Sequence, residues 1–389
     1  MDKRSIPVKD EALRSHPSAE QNETIAPAFP GGSEAIVFCL NDYYCPYFSV
    51  MLYSVVEHAL PLRQYDIIVL HRDITAENQR ILGSMTAGRD NISLRFRNVS
   101  ARIEGYTLYT GGKSEFTVDA YLRLLIPYVL DEAYKKALYL DADMLALTDV
   151  GALLDTDLTG YMLASSRDLC GLAIYYNPRD KYKQNRDTVL HLTCPDDYFI
   201  DGMLVMNLDA FRRAYTADDL LRLAASRDWL QHDQDVLNLL CNGGKAKLVH
   251  ARWDVLQPYR PELLPEAARQ ELAESLEDPK ILHFGGGDKP WQSKDSLWTE
   301  AFWDTAIKTP YCKALILRAL PYANPDQKSD EVFVRINNGK IRLRHLLQYN
   351  VAWLRFKVRQ KLLKKTFVIE ERKRKSCLLK LPKNPVCRK

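Results

Sequence analysis

The 389-residue chain contains no apolar run long enough to cross a bilayer, no C-x-x-C pair and no internal repeat. Its best apolar stretch, Tyr43 to Val56, falls short of the roughly 20 residues that a transmembrane helix needs and is interrupted by Pro46. The N-terminus, MDKRSIPVKDEALR, is charged from its second residue and lacks the apolar centre of a secretory signal. These absences predict a cytoplasmic protein without a transmembrane anchor. Cysteines at 39, 45, 170, 194, 241, 312, 377 and 387 are too dispersed for a zinc ribbon or a disulfide framework, and they fit reduced, mostly buried thiols. Global disorder is excluded by a composition that is 46% hydrophobic and 27% charged. The length suits one large α/β domain with an appendage.

A formal net charge of +4 hides a strong asymmetry. Residues 335–389 carry 18 Lys and Arg against two acids, Glu370 and Glu371, a local excess of +16 that leaves −12 on the rest. An acidic body with a basic tail predicts an anionic partner for the tail. Within the tail, Leu347, Val351, Leu354, Val358 and Leu362 form a helical stripe flanked by Lys and Arg, with Trp353 and Phe356 adding aromatic mass. Such a helix lies in a membrane interface and is attracted to anionic head groups. A membrane surface is therefore expected as the partner; nucleic acid is not, because the acidic body would repel it.

Along the chain, residues 1–33 are polar and aperiodic and end in Pro30-Gly31-Gly32, which predicts a flexible leader. Order is expected from Glu34. Ala35–Leu40, Tyr65–His71, Ile92–Phe96 and Ala137–Leu140 read as strands; helical patterns follow the first two, and a helix over about Thr117–Tyr134, broken near Pro127, precedes the last. This β-α-β-α order predicts a mostly parallel sheet covered by helices on both faces. Further strands are expected at Tyr161–Ala164, Met203–Leu208, Leu248–Trp253 and Ile281–Phe284, with a packed domain spanning 34–308 and a basic helical extension 309–389.

Asp141-Ala142-Asp143 follows the apolar strand Ala137–Leu140. In extended chain, residues i and i+2 share a side, so two carboxylates can converge on one hard cation at the carboxyl end of a parallel strand, where open α/β folds place ligands. The tripeptide alone is weak, since Asp155-Thr156-Asp157 and Asp233-Gln234-Asp235 have the same form. Far downstream, His283 ends another apolar run and precedes Gly285-Gly286-Gly287 and Lys289. An imidazole nitrogen suits a divalent metal, and glycine N–H groups beside a lysine suit a diphosphate.

Together these motifs resemble glycosyltransferase family 8, in particular its bacterial lipopolysaccharide and lipooligosaccharide glucosyl- and galactosyltransferases. The resemblance covers about Glu34–Trp303. It rests on Ile36-Val37-Phe38 leading to Asn41-Asp42, Tyr121-Leu122-Arg123-Leu124, Leu138 through Asp143, Tyr198-Phe199 with Gly202 and Asn207-Leu208, Asp233 through Asn238, and His283-Phe284 through Lys289-Pro290-Trp291. It implies a GT-A fold, Rossmann-like with a mostly parallel sheet. It further implies UDP-glucose or UDP-galactose as donor, Mn2+ with Mg2+ as the alternative, and retention at the anomeric carbon.

By the same resemblance, Asp141, Asp143 and His283 are the metal ligands, while Cys39, Asn41, Asp42, Arg123, Asp233, Gly286 and Lys289 bind the donor. Gln234, Asp235 and Asp201 are the candidates for the catalytic groups. Ile200-Asp201-Gly202 departs from the asparagine and small residue that commonly precede this glycine in relatives, and Asn41 stands where an acid is frequent, so the choice of sugar does not transfer. The polar, tyrosine-rich segment Asp168–Tyr198 is a candidate acceptor lid. The expected acceptor is a glycan or glycolipid such as lipopolysaccharide, reached from the cytoplasmic face of the membrane. The competing reading is a sugar-nucleotide or glycan-binding module of the same fold without turnover.

Overall fold

Ten strands organise the computed structural model, which describes residues 23–111, 117–177, 181–257, 260–286, 289–293 and 296–323. In chain order they are β1 (Glu34–Cys39), β2 (Tyr65–His71), β3 (Ile92–Asn98), β4 (Lys136–Leu140), β5 (Met144–Ala146), β6 (Leu163–Ser166), β7 (Met203–Asn207), β8 (Ala246–Val249), β9 (Val255–Leu256) and β10 (Ile281–His283). Seven of them form one sheet in the order β3-β2-β1-β4-β7-β6-β8, and β5-β10-β9 form a second, smaller one. β1, β2, β3 and β4 run parallel to one another, as do β6 and β8, whereas β7 is antiparallel to both β4 and β6.

The central strands are apolar on both faces because both are covered. Along β1, Ile36 and Phe38 enter one core with Phe48, Met51 and Val55 of the helix Cys45–His58, while Val37 and Cys39 enter the other with Leu122, Leu125 and Tyr139. β3 is the edge, and its consecutive residues Ser93–Arg97 are all partly exposed. There Arg95 crosses to the fully buried Asp66 of β2, which is also held by the Tyr134 hydroxyl.

Several elements differ from the sequence expectation. The segment expected as a helix over Thr117–Tyr134 is a 3-10 helix over Val118–Leu125 followed by one α-turn, Ile126–Val129. Three residues per turn bring residues i and i+3 into line, and Arg123 accordingly donates its Nε–H to the Ala120 carbonyl at 3.0 Å. β8 lies earlier than expected, because Ala251–Trp253 turns into a 3-10 helix that redirects the chain into β9. The second sheet was not anticipated: two- and three-residue strands are too short to show a period. The segment after Asp168 is largely helical, with Leu169–Tyr175 and Lys181–Gln184 running into a π-helical turn at Asn185–Val189.

Packing also extends past both expected boundaries. Ile25 is buried and exchanges backbone hydrogen bonds with Val129 and Asp131, so the end of the expected leader is tied to the domain. Tyr311 and Leu315 lie in the core beside the helix Cys45–His58, and the helix Cys312–Ala323 carries the packed chain beyond Lys308. A single apolar residue in polar sequence, as Ile25 is, leaves no periodic signal of such anchoring. The amphipathic stripe and the rest of the basic tail lie outside the described residues. Among the described residues, no helix is long and apolar enough to cross a membrane.

Candidate active site

The second sheet assembles the site. β10 pairs antiparallel with β5 so that His283 faces Met144, the residue after Asp143, and the Phe284 N–H donates to the Asp143 carbonyl at 2.9 Å. His283 Nε2 thereby lies 3.6 Å from both Asp141 Oδ2 and Asp143 Oδ1. One ligand atom from each of the three residues falls within 4.8 Å of the others, a spacing that one divalent cation can bridge. Close approach of strand and ring needs Gly202, where an added Cβ would stand 2.5 Å from His283 Cε1.

Asp254, just before β9, completes the imidazole's environment. Its carboxylate lies 2.8 Å from His283 Nδ1, which directs the Nε2 lone pair toward Asp141 and Asp143 when the ring is neutral. Burial works against a charged His283, but Asp254 and then Asp143 outweigh it and hold the ring well above the ordinary histidine range. Burial likewise opposes ionisation of Asp143, yet Lys289 and His283 keep it far below the usual carboxylate range. Lys289 Nζ is 2.5 Å from Asp143 Oδ2 and donates to the Phe284 carbonyl at 2.9 Å. Asp141 is shifted upward by burial against the opposing charges of Arg123 and His283. It accepts the Tyr139 hydroxyl at 2.5 Å.

Arg123 is the second centre. Only 4% exposed, its guanidinium lies 3.1 Å from Asp141, 2.9 Å from Asp201 and 2.7 Å from Asp233. It also donates to the Asp201 carbonyl at 2.6 Å and stacks on Tyr139 at 4.4 Å. Burial disfavours its charge, but Asp201 and Asp233 more than compensate. Asp201 is pushed well above the carboxylate range by burial, with the charges of Asp233 and Asp141 adding to that against Arg123. Asp141, Asp143, Asp201 and Asp233 thus share the permanent cations Arg123 and Lys289.

The remaining predicted residues separate into two groups. Gly286 has φ +83°, a conformation that suits glycine, beside the Lys289 segment. Gln234 is buried and donates its Nε2 hydrogen to Asp168 at 3.2 Å. Cys39 is enclosed near Arg123 and Asp141, and burial raises its thiol well above the ordinary range. Asn41 and Asp42 are occupied locally: Asn41 accepts the Tyr44 N–H and donates to Asp119, while Asp42 Oδ1 accepts from Thr75 N, Thr75 Oγ1 and Asn78 Nδ2. The Asp42 side chain ties this turn to Thr75 and Asn78 at the start of the helix Ala76–Gly83, while Asn41 caps the turn Asp42–Tyr44.

Asp235, named among the candidate catalytic groups, is held apart from Asp141, Asp143 and His283 by its own partners. It is 0% exposed and accepts from Asn185 Nδ2, the Tyr198 hydroxyl and the Gln231 N–H at 3.0, 2.7 and 3.0 Å. In the helix His232–Leu240, residues i and i+2 are separated by about 200° of rotation. Asp233 can therefore reach Arg123 only if Asp235 points elsewhere. Asp168 and Asp254 were missed by the sequence reading, because neither lies in a spacing that signals a site; strand pairing alone delivers Asp254 to His283.

Fold and site together define a glycosyltransferase of the GT-A type. Residues 35–295 match the family described as Glycosyl transferase family 8, and the chain belongs to that family. Among its relatives, General stress protein A of Bacillus subtilis is 26% identical over 268 residues, covering 66% of this chain and 87% of the relative. The lipopolysaccharide 1,2-glucosyltransferase of Escherichia coli is 24% identical over 176 residues, 44% of this chain and 48% of that enzyme. Among solved structures, the apo bifunctional glycosyltransferase WbbM superposes with a TM-score of 0.68 at 25% identity, over 76% of this chain and 53% of WbbM.

Proposed function

We propose that the protein is a retaining, Mn2+-dependent hexosyltransferase that moves glucose or galactose from a UDP-sugar to a glycan acceptor, lipopolysaccharide or another envelope glycolipid. The observation that carries this reading is the convergence of Asp141, Asp143 and His283 beside Lys289 and Arg123. Two carboxylates and one imidazole fit a divalent ion of mixed oxygen and nitrogen preference, of which Mn2+ is the best match and Mg2+ the alternative. When bound, that ion acts as a Lewis acid on the donor's diphosphate.

The chain's own residues then have distinct tasks. Lys289 is placed to neutralise charge that builds on the departing UDP, and Gly286 allows close backbone approach to the phosphates. Arg123 holds Asp201 and Asp233 in position to hydrogen-bond the sugar hydroxyls. Gln234 presents an amide near the reacting carbon, which favours front-side attack over a covalent sugar ester, since an amide can stabilise a cationic sugar but is a poor nucleophile. Enclosure of Asp235 supports the same choice. The test is UDP release from a panel of UDP-sugars with Mn2+, Mg2+ or EDTA, followed by NMR of the product's anomeric configuration. Metal-dependent release and retention are expected; no release from any donor would leave a sugar-nucleotide-binding module.

The basic segment 335–389 is proposed to hold the enzyme on the cytoplasmic face of an anionic membrane. Each cation near such a surface contributes about 1 kcal/mol. Full-length protein is expected to sediment with anionic but not neutral liposomes, and a chain truncated near Glu331 with neither. Absence of full-length protein from the anionic pellet overturns this assignment.

A further inference from the structure

Two buried carboxylates lie beside Gln234, its hydrogen-bond partner Asp168 and its sequence neighbour Asp235, and consecutive residues of one π-helical turn contact them. Asn185 donates to both oxygens of Asp235 at 3.0 Å, while the Arg186 guanidinium lies 3.5 Å from Asp168 Oδ2 and stacks on Tyr198 at 4.0 Å. Arg186 is 1% exposed, and its NH2 nitrogen makes no contact of hydrogen-bonding geometry, its approach to Asp168 being ionic. Room for this pair comes from Gly171, where a Cβ would fall 2.1 Å from Asp168 Oδ2 and 2.5 Å from Arg186 NH2. Single-turn π-helical insertions recur at functional sites, and this one lies in the segment read as the acceptor lid.

The hydrogen bonds of Asp168 are directional. Its Oδ1 accepts the Gly171 N–H at 2.7 Å, and its Oδ2 faces both Gln234 Nε2 at 3.2 Å and Arg186. An ionised carboxylate only accepts, so the Gln234 NH2 group must turn toward it and the Gln234 carbonyl oxygen must turn away. Burial raises the Asp168 carboxyl, while Arg186 first, and then the bonds from Gly171 and Gln234, favour the ionised form. The amide itself has no preference between its two orientations; the choice is made by its neighbour.

We propose that Asp168, braced by Arg186, is a positioning residue that sets the orientation of the Gln234 side-chain amide so that its carbonyl oxygen, and not its NH2 group, is available to the donor sugar. This rests on the glycosyltransferase reading above and adds the element that orients its central amide. It also couples the 169–198 segment to Gln234, since displacement of Arg186 leaves Asp168 without its cation.

Asp168→Asn tests the idea because it changes one atom. An asparagine that keeps the Gly171 N–H bond must place its own NH2 where Oδ2 stands, opposing Gln234 Nε2 and forcing the amide to turn over. The expected result is a loss of about 10²-fold in kcat, with donor KM within about twofold of wild type. In a double-mutant cycle, Asp168→Asn should have almost no further effect on kcat once Gln234 is alanine. Equal losses in both backgrounds would overturn the proposal and leave Asp168 a purely structural residue. Arg186→Lys supplies the same cycle if Asp168→Asn does not fold. A second readout needs no turnover: the Gln234 side-chain NH2 resonance, identified by its absence in Gln234→Ala, should exchange more slowly in wild type than in Asp168→Asn. Equal exchange also overturns the proposal. Failure of wild type to release UDP would count against the glycosyltransferase reading alone, and the exchange comparison would still decide the orientation.

Discussion

Replacement of Asp143 by asparagine is expected to reduce metal-dependent UDP release by about 10²–10³-fold, the scale on which a single electrostatic contact to a developing anion matters. Asp143 serves two cationic partners, facing His283 Nε2 at 3.6 Å and Lys289 Nζ at 2.5 Å. Asparagine keeps the volume but removes the charge, so the metal pocket loses a ligand and Lys289 loses its counter-ion together. Titration calorimetry with Mn2+ should show a parallel fall in metal affinity. Wild type should also release protons on binding metal, because His283 is held well above its ordinary range without it and must deprotonate to become a ligand. Metal affinity should therefore rise with pH until the raised histidine pKa is passed. Unchanged Mn2+ affinity in Asp143→Asn would remove Asp143 from the ligand set.

Arg123→Ala is expected to produce the largest loss of stability. The guanidinium is buried among Asp141, Asp201 and Asp233. Removal of one partner from a buried ionic cluster costs about 3–5 kcal/mol, because the charges left behind are neither solvated nor paired. In a domain of this size, that corresponds to a fall in Tm on the order of 10 °C. Arg123→Lys should recover part of it, since a lysine keeps the charge but cannot address several carboxylates from one planar fork. Denaturant melts at neutral pH separate the variants. Acidification should narrow the gap between Arg123→Ala and wild type as the orphaned acids become neutral. A stable Arg123→Ala protein with a wild-type melting profile would show that the acids are relieved by other means.

Much of the catalytic half was readable one residue at a time. β1, β2 and β4 are apolar because they are covered on both faces, and they occur where the hydrophobic runs predict them. Asp141 and Asp143 follow directly from the end of β4, so their convergence is a local property of the chain. His283 and Lys289 could be nominated from residue type and from the family's motif order.

Partner choice at longer range was not readable. Asp141-x-Asp143 and Asp233-x-Asp235 are the same tripeptide pattern, yet the first gathers both acids beside His283 and the second sends them apart. Leaving a strand, the first pair can converge; wound into the helix His232–Leu240, the second cannot. Asp254 and Asp168 carry no motif, and they acquire roles only because β9 pairs with β10 and because the chain returns past Gly171 to bury Arg186. The sequence by itself determined which segments are buried, where the sheet begins and which acids stand at a strand's end, since these depend on local periodicity and residue chemistry. Only the tertiary structure decided which acid faces which cation, because that choice belongs to strand register and helical phase between residues from 18 to 146 positions apart.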